Sequence, residues 1–368
     1  MSRARQLWLP AFLICLAMGM AVFFGAVQAG ASSSLPPKTA DEVLAMVANT
    51  QVRELSGTVE QNAELGLPDI PTTGPGVAPG AASTLEFLTG SHTARVYLSA
   101  PAKARLQILD PMAERDLVVN GNAAWFYNSA DNSATHLRAP SPSTGTSNGS
   151  LPPAAPHPEV PTPASMASHF LAAIDAGTEV SVDNSSTVAG RSAYRLLLNP
   201  RSSDTLVDSV AIDVDSETGV PLGVEVRANG QAEPAYSLAF TQVDLSAPDA
   251  AMFEFTPPAG ATVSEKALPA APAKSTPLPS PRATHEQYGV SATGKGWDAV
   301  LSLPAGTAPA GLTADPLLSQ ALQPVPGGHA LTTSLVSVLI LDDGRVFAGM
   351  VPLERLQSAA LQPPAPTQ

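Results

Sequence analysis

The chain has 368 residues, a hydrophobic content of 44% and a formal net charge of -13. That length accommodates about two domains, and the hydrophobic content supports a packed core and argues against wholesale disorder. The acidic balance argues against a nucleic-acid partner, because such proteins neutralise phosphates with Lys and Arg. The 37 prolines are about twice the usual share of ~5%, and their clusters predict linkers.

The amino terminus has the pattern of an export signal. Arg3 and Arg5 precede the apolar stretch 7–27. This stretch is either a transmembrane anchor, since about 20 apolar residues span a bilayer, or a signal peptide cleaved after Ala29. Both alternatives export the remainder across the cytoplasmic membrane, anchored to the cell membrane or secreted to the envelope. We assign 1–38 to this signal and a short linker.

A helix and a strand open the exported part. Thr39 and Glu42 have the spacing of a capping box, and apolar residues at helical spacing follow, which predicts a helix over about 40–51. Residues 55–60 alternate as in a half-buried strand. A Pro/Gly-rich loop is predicted over 66–82.

Two series of short strands follow, separated by a Pro-rich excursion and a second amphipathic helix at 165–176. The first series is predicted at 85–88, 93–98, 104–109, 116–120, 123–128 and 134–137. The second series is predicted at 179–182, 192–198, 207–214, 220–227 and 235–244. Val210, Ile212 and Val214 share one face and Asp213 takes the other, a pattern typical of a curved antiparallel sheet with helices inside or over it.

Composition divides the remaining chain. The first domain is assigned to 39–257, and a Pro/Ala-rich stretch without periodicity predicts a linker over 258–284. A small α+β module is predicted over 285–357, with a hairpin turn at 342–344, and the end, 358–368, is expected to be frayed. The fold class is therefore mainly antiparallel β (α+β) with a small carboxyl-terminal module.

Assembled in order, these segments resemble the LolA-like carriers of lipoproteins, in particular the lipoprotein-sorting proteins of actinobacteria. The segments that are similar to the first strand, central hairpin, acidic-turn hairpin and closing strand of that family are 55–60, 121–135, 213–222 and 253–260. The resemblance implies an incomplete β-barrel wrapped round helices, with an apolar cavity that accepts acyl chains. The family's cavity arginine has no motif match here, and Arg95 and Arg105 are the strand arginines available.

The small module, with 344–352, resembles the second domain of RseB/MucB proteins. Those proteins are similar to LolA in their first domain, bind an anti-sigma factor and sense envelope stress. The resemblance therefore implies lipoprotein or lipid acyl chains as ligands, and a membrane protein receptor or an anti-sigma factor as a further partner.

Thirteen apolar strand residues could fill a dry core or line a cavity, and periodicity does not separate the two. The resemblance implies that they line the cavity and bind the ligand: Leu106, Ile108, Leu117, Val119, Trp125, Tyr127, Tyr194, Leu196, Leu198, Val224, Val226, Leu238 and Phe240. The second helix is the candidate lid, and its alternative is an ordinary helix packed on the sheet. Its candidate lid residues are Met166, Phe170, Leu171 and Ile174.

The sequence motifs do not predict a catalytic or metal-binding site. The six histidines are scattered without metal-ligand spacing. Residues 145–149 match G-x-S-x-G but lie in a low-complexity loop, without the strand-to-helix elbow that the mechanism needs. Asp213, Asp215 and Glu217 begin like a calcium loop, but Val224 stands where the final Glu belongs, which favours a solvated turn. We expect no enzyme, no cofactor and no metal.

Three hypotheses follow. The first is an extracytoplasmic carrier that binds the acyl part of a lipoprotein or lipid in an apolar cavity. The alternative is an RseB-like regulatory module that binds an anti-sigma factor. The third is a structural envelope protein with a filled core.

Overall fold

The computed structural model describes 35–67, 89–110, 113–138, 160–183, 185–267, 290–306 and 321–361. The described residues from Lys38 onward belong to one compact unit. Predictions for 1–34, for the strand at 85–88 and for the G-x-S-x-G match lie outside the described residues. Within the described stretches, no helix is long and apolar enough to cross a membrane.

Both helices that the sequence predicts are confirmed, and both end earlier than predicted. The described helices are α1 (Ala40–Ala48), α2 (Pro163–Ala172) and α3 (Leu353–Ala360). The backbone N–H of Thr39 donates to the Glu42 carboxylate at 2.7 Å, and the backbone N–H of Glu42 donates to the Thr39 hydroxyl at 3.3 Å. Thr162 and Ser165 cap α2 in the same way, with Pro163 at its first position, where no intrahelical hydrogen bond is lost.

The described strands form two sheets. The large sheet contains β1 (Glu54–Glu64), β2 (Thr89–Ser99), β3 (Lys103–Leu109), β4 (Glu114–Asn120), β5 (Ala123–Asn128), β6 (Ser133–Arg138), β7 (Thr178–Val182), β8 (Ser186–Val188), β9 (Arg191–Pro200), β10 (Val207–Asp215), β11 (Pro221–Ala228), β12 (Tyr236–Asp244) and β13 (Thr262–Ala267). The small sheet contains β14 (Ser291–Thr293), β15 (Val300–Leu303), β16 (Gln323–Val325), β17 (Gly328–Thr332), β18 (Ser337–Leu341) and β19 (Val346–Gly349).

The large sheet is an open meander in which the two strand series meet at β1 and β12. Its order is β13-β6-β5-β4-β3-β2-β1-β12-β11-β10-β9-β7, and β8 pairs with β9. The pairs are antiparallel, apart from β13 and β6, which run parallel. Among the described strands, β13 and β7 stand at opposite ends without pairing, so the sheet is not closed. The predicted fold class, an incomplete and mainly antiparallel barrel with helices, is confirmed.

One face of the large sheet holds the core. Cross-strand pairing places these residues on that face, which we call the inner face: Leu55, Val96, Leu106 and Leu117 from β1–β4, and Leu196, Ile212, Val224 and Phe240 from β9–β12. Helix α2 packs on β11 and β12, and α1 lies against β7 and β9. Val43 of α1 and Ala167 of α2 are fully buried.

The small sheet and α3 form the small α+β module. Val300, Leu339 and Phe347 pack against Leu356 of α3. The module docks on the large sheet through backbone contacts, since the Met350 carbonyl accepts from the backbone N–H of Leu206 at 2.8 Å.

Two predicted segments differ from the structure. The resemblance places a closing strand at 253–260, but Phe253 ends a short 3-10 turn, Ala250–Phe253, and 254–260 form no strand. The strand lies further on, at β13, inside the predicted linker. All five side chains from Thr262 to Lys266 are exposed, so β13 has no apolar periodicity that a sequence pattern could reveal. The rest of the predicted domain boundaries stay predictions.

Candidate ligand-binding site

The strand register divides the thirteen predicted site residues between two faces. These eleven lie on the inner face: Leu106, Ile108, Leu117, Val119, Tyr194, Leu196, Leu198, Val224, Val226, Leu238 and Phe240. Trp125 and Tyr127 lie on the outer face, because they pair with Val118 and Asp116. Both pack around Phe255, at centroid distances of 5.4 and 5.7 Å. The register thus corrects the grouping of these two residues with the other eleven.

Most inner-face residues of the predicted set fill the core. Leu196, Leu198 and Val224 have 0% exposure. Ile108 and Leu117 are half-buried and pack against the main apolar cluster. Of the thirteen, only Val119 borders the cavity described next. Ligand contact by the other twelve stays a prediction.

An apolar, half-open cavity of about 270 Å³ lies where the central strands β1, β3 and β11 begin and β2 and β4 end. The connection from α1 to β1 contributes Thr50, Val52 and Arg53, and the turn between β2 and β3 contributes 100–102. The strands add Leu55, Leu98, Ala104 and Val119, and Val220 and Pro221 border it where β11 begins. Its volume is just below the about 300–1,000 Å³ of typical small-molecule pockets. Sequence reasoning missed most of these residues, because small residues in turns carry no periodic signal.

Helix α2 connects this cavity to the small module. Ala164, in its first turn, lines the cavity, and Met166 packs against the inner-face cluster. Phe170 stacks on Trp297 of the small module at a centroid distance of 6.2 Å. Of the other candidate lid residues, Leu171 is half-buried, and Ile174 lies beyond the end of α2. The lid role of all four residues stays a prediction.

The arginines of β2 and β3 are not on the inner face. Register places Arg95 and Arg105 on the outer face, where Arg105 pairs with the buried Asp116 at 2.6 Å. Arg115 on β4 shares the inner face with Leu117 and Val119, is 8% exposed and pairs with Asp110 at 2.9 Å. The two-residue period from Leu117 would have placed Arg115 on this face.

The acidic turn is not solvated as the sequence predicts, because Asp213 and Asp215 are buried. Arg191 donates to Asp215 at 2.7 Å and to Glu217 at 2.8 Å. Burial raises the pKa of Asp215, but hydrogen bonds from Arg191 and Thr218 outweigh it and hold the pKa below its ordinary value. Burial raises the pKa of Asp213 above its ordinary value, although the Ser186 hydroxyl donates to it at 2.6 Å. Within the described stretches, no group of acidic, His or Cys side chains could hold a metal ion.

Comparisons with known proteins give likenesses of fold. No protein-family model matches the sequence, and no curated relative is found. The complex of MucA and MucB from Pseudomonas aeruginosa matches 89% of this chain and 99% of the solved chain, with 17% identity and a TM-score of 0.43. An uncharacterized conserved protein from Thermus thermophilus matches 62% and 99%, with 13% identity and a TM-score of 0.34. The LolA superfamily protein NE2245 from Nitrosomonas europaea matches 59% and 99%, with 12% identity and a TM-score of 0.22.

The chain is similar to MucB and to LolA-superfamily proteins. These are the proteins that the sequence motifs resemble. With TM-scores below 0.5, the likenesses say nothing of ligand or partner, and the open sheet described above rests on its own strand pairing.

Proposed function

We propose that this protein is an exported, extracytoplasmic carrier that binds the acyl part of a lipoprotein or lipid. The observation that supports the proposal is the apolar cavity of about 270 Å³ at the termini of the central strands. The walls provided by Leu55, Leu98 and Val220 offer a ligand no polar side-chain group. Burial of a chain of about ten methylenes contributes about 8 kcal/mol before entropic costs.

Release follows from the position of α2. Ala164 lines the cavity while the far end of α2 contacts the small module through Phe170 and Trp297. Movement of α2 away from β11 and β12 would enlarge or spoil the cavity, and a competing acceptor could then take the acyl chain.

Native mass spectrometry of the protein tests the proposal. We expect lipid to co-purify with the wild type, and Ala104→Trp to remove it, because an indole at this position fills the cavity. Ala251→Trp is the matched control and should keep the lipid, because Ala251 is exposed and precedes Met252, whose carbonyl accepts from Arg105 on the outer face. Repeated recovery of ligand-free wild-type protein that also takes up no added lipid would contradict a carrier function.

A second candidate is an RseB-like regulatory module that binds an anti-sigma factor. The observation that favours it is the small module, which is folded as a separate sheet and docked on the large one. MucB, to which the chain is similar, was solved in complex with MucA. A pull-down from membrane extracts with the full-length protein should capture a membrane anti-sigma factor, identified by mass spectrometry. Failure to recover one would sink this second candidate and leave the carrier proposal standing.

A further inference from the structure

Strand β13 is attached to the large sheet along one side. Among the described strands it stands at the end of that sheet, parallel to β6, in a register that sets Glu265 opposite His136. All its side chains from Thr262 to Lys266 are exposed, so pairing buries little apolar surface. Its attachment therefore depends on backbone pairing and on polar contacts, such as the 3.1 Å contact between the Ser264 and Thr135 hydroxyls.

A second polar contact of β13 involves a buried histidine. His136 of β6 is 5% exposed, and its ring lies flat on the indole of Trp125, at a centroid distance of 4.1 Å and an interplanar angle of 2°. Phe255 contacts the same indole at a centroid distance of 5.4 Å. The Nδ1 atom of His136 lies 3.8 Å from the carboxylate of Glu265. The ring thus belongs to the large sheet, whereas its acidic neighbour is supplied by the end strand.

The charge of His136 links this contact to pH. Histidine is the side chain that ordinarily gains or loses its charge between about pH 5 and 8. Burial opposes a positive charge on the ring, whereas the indole face and a nearby carboxylate favour it. Glu265 contributes while β13 is paired, so protonation of His136 and pairing of β13 favour each other.

The other charged groups around the ring are screened or already paired. Arg138 of β6 and Glu254, in the segment that packs on the indole, are exposed, so water and salt screen their charges. On β4, Asp116 forms an ion pair with Arg105 at 2.6 Å. On β5, the titratable group is Tyr127, whose hydroxyl donates to a neighbouring asparagine side chain at 3.2 Å. The charge that reaches the ring when β13 pairs is therefore that of the β13 carboxylate.

We infer that His136 and Glu265 form a pH-sensitive contact that controls the pairing of β13. In acidic surroundings the protonated ring attracts the carboxylate and holds β13 on β6, and loss of the proton at neutral pH weakens this attachment. The chain continues from β13 towards β14 of the small sheet, so release of the six residues of β13 lengthens the connection between the two sheets. The inference does not depend on the carrier function proposed above.

Hydrogen exchange of the backbone amides of 262–267, followed by mass spectrometry of the full-length protein, tests the inference. Intrinsic exchange itself depends on pH, so Glu265→Gln is compared with the wild type at pH 5.5 and again at pH 7.5. We expect the variant to exchange about threefold faster than the wild type at pH 5.5, the order expected of an exposed ion pair, and equally fast at pH 7.5. Glu233→Gln, at an exposed position between β11 and β12, removes the same charge and should match the wild type at both pH values.

Two further variants test the part played by the histidine. His136→Phe keeps a ring beside the indole and cannot be protonated, so adding Glu265→Gln to it should leave exchange unchanged at both pH values. An imidazolium quenches a stacked indole more strongly than an imidazole does, so tryptophan emission should fall from pH 7.5 to pH 5.5 in the wild type and not in Trp125→Phe. An effect of Glu265→Gln that is equal at both pH values, or that persists with His136→Phe, would overturn the inference. An equal fall in emission in the wild type and Trp125→Phe would overturn it as well.

Discussion

The indole N–H of Trp297, in the small module, donates a hydrogen bond of 2.9 Å to the hydroxyl of Thr178 on β7 of the large sheet. Both residues are buried, and the indole also stacks on Phe170 of α2. One side chain thus contacts an edge strand and the helix that borders the cavity, so docking of the module and the position of α2 are linked.

Trp297→Ala should undock the small module. Removal of a buried aromatic side chain costs about 3–5 kcal/mol, and we expect faster hydrogen exchange in α2 and in the module. Trp297→Phe keeps an aromatic ring but loses the hydrogen bond to Thr178, which should lower the free energy of unfolding by about 1 kcal/mol. Hydrogen exchange followed by mass spectrometry, together with urea unfolding, measures both effects. Unchanged exchange in α2 of Trp297→Ala would show that the module does not hold this helix.

Gly219→Ala should destabilise the packing of α1 on the turn between β10 and β11. Gly219 has φ +75, and a Cβ there would stand 2.3 Å from the Met46 carbonyl oxygen. We expect a loss of about 2–5 kcal/mol from backbone strain and overpacking. Gly230 has a similar φ, +79, with no atom within 4 Å of its Cβ position, so Gly230→Ala should lose only about 1–2 kcal/mol. Equal losses in urea unfolding would refute the contact with Met46.

Arg105→Ala should cost about 3–5 kcal/mol, because it leaves Asp116 buried without its partner. Asp116 is 2% exposed, and burial already raises its pKa although Arg105 counteracts this. The double variant Arg105→Met with Asp116→Leu should regain most of the loss, since it removes the buried charge as well. Urea unfolding at pH 7 compares the two. A double variant as unstable as Arg105→Ala would mean that the loss comes from packing.

Asp213→Asn should change how stability depends on pH. Burial raises the folded-state pKa of Asp213, so from the unfolded value of about 4 up to the folded value the folded state binds more protons. Stability contributed by this residue therefore falls as the pH rises through that window. The variant cannot ionise, so its stability relative to the wild type should increase from about pH 4 and level off above the folded pKa.

Urea unfolding between pH 4 and 8 measures this difference. Asp208→Asn, at an exposed position of the same strand, is the control for the loss of one carboxylate. A flat difference between Asp213→Asn and the wild type would contradict a raised pKa in the folded protein.

The strand register of β4 and β5 could be predicted from the sequence. The turn at Gly121 and Asn122 pairs Asn120 with Ala123, and counting outward from it puts Trp125 opposite Val118. Trp125 therefore cannot share a face with Val119, although both are apolar. Apolar character alone groups Trp125 with Val119, whereas the turn length places them on opposite faces.

Local alternation and capping determined most of the individual elements. Val210, Ile212 and Val214 are fully buried, as the sequence predicts, although Ala211, Asp213 and Asp215 on the other face are buried too. Thr39 with Glu42 begins α1. Such patterns depend only on near neighbours in the chain, so they can be recognised without knowledge of the fold.

Tertiary structure alone decided the cavity and β13. The cavity joins turns and strand ends that lie far apart in the chain, and β13 is held by backbone pairing with β6. Neither follows from the local pattern of its own segment, because pairing or contact between distant segments creates both.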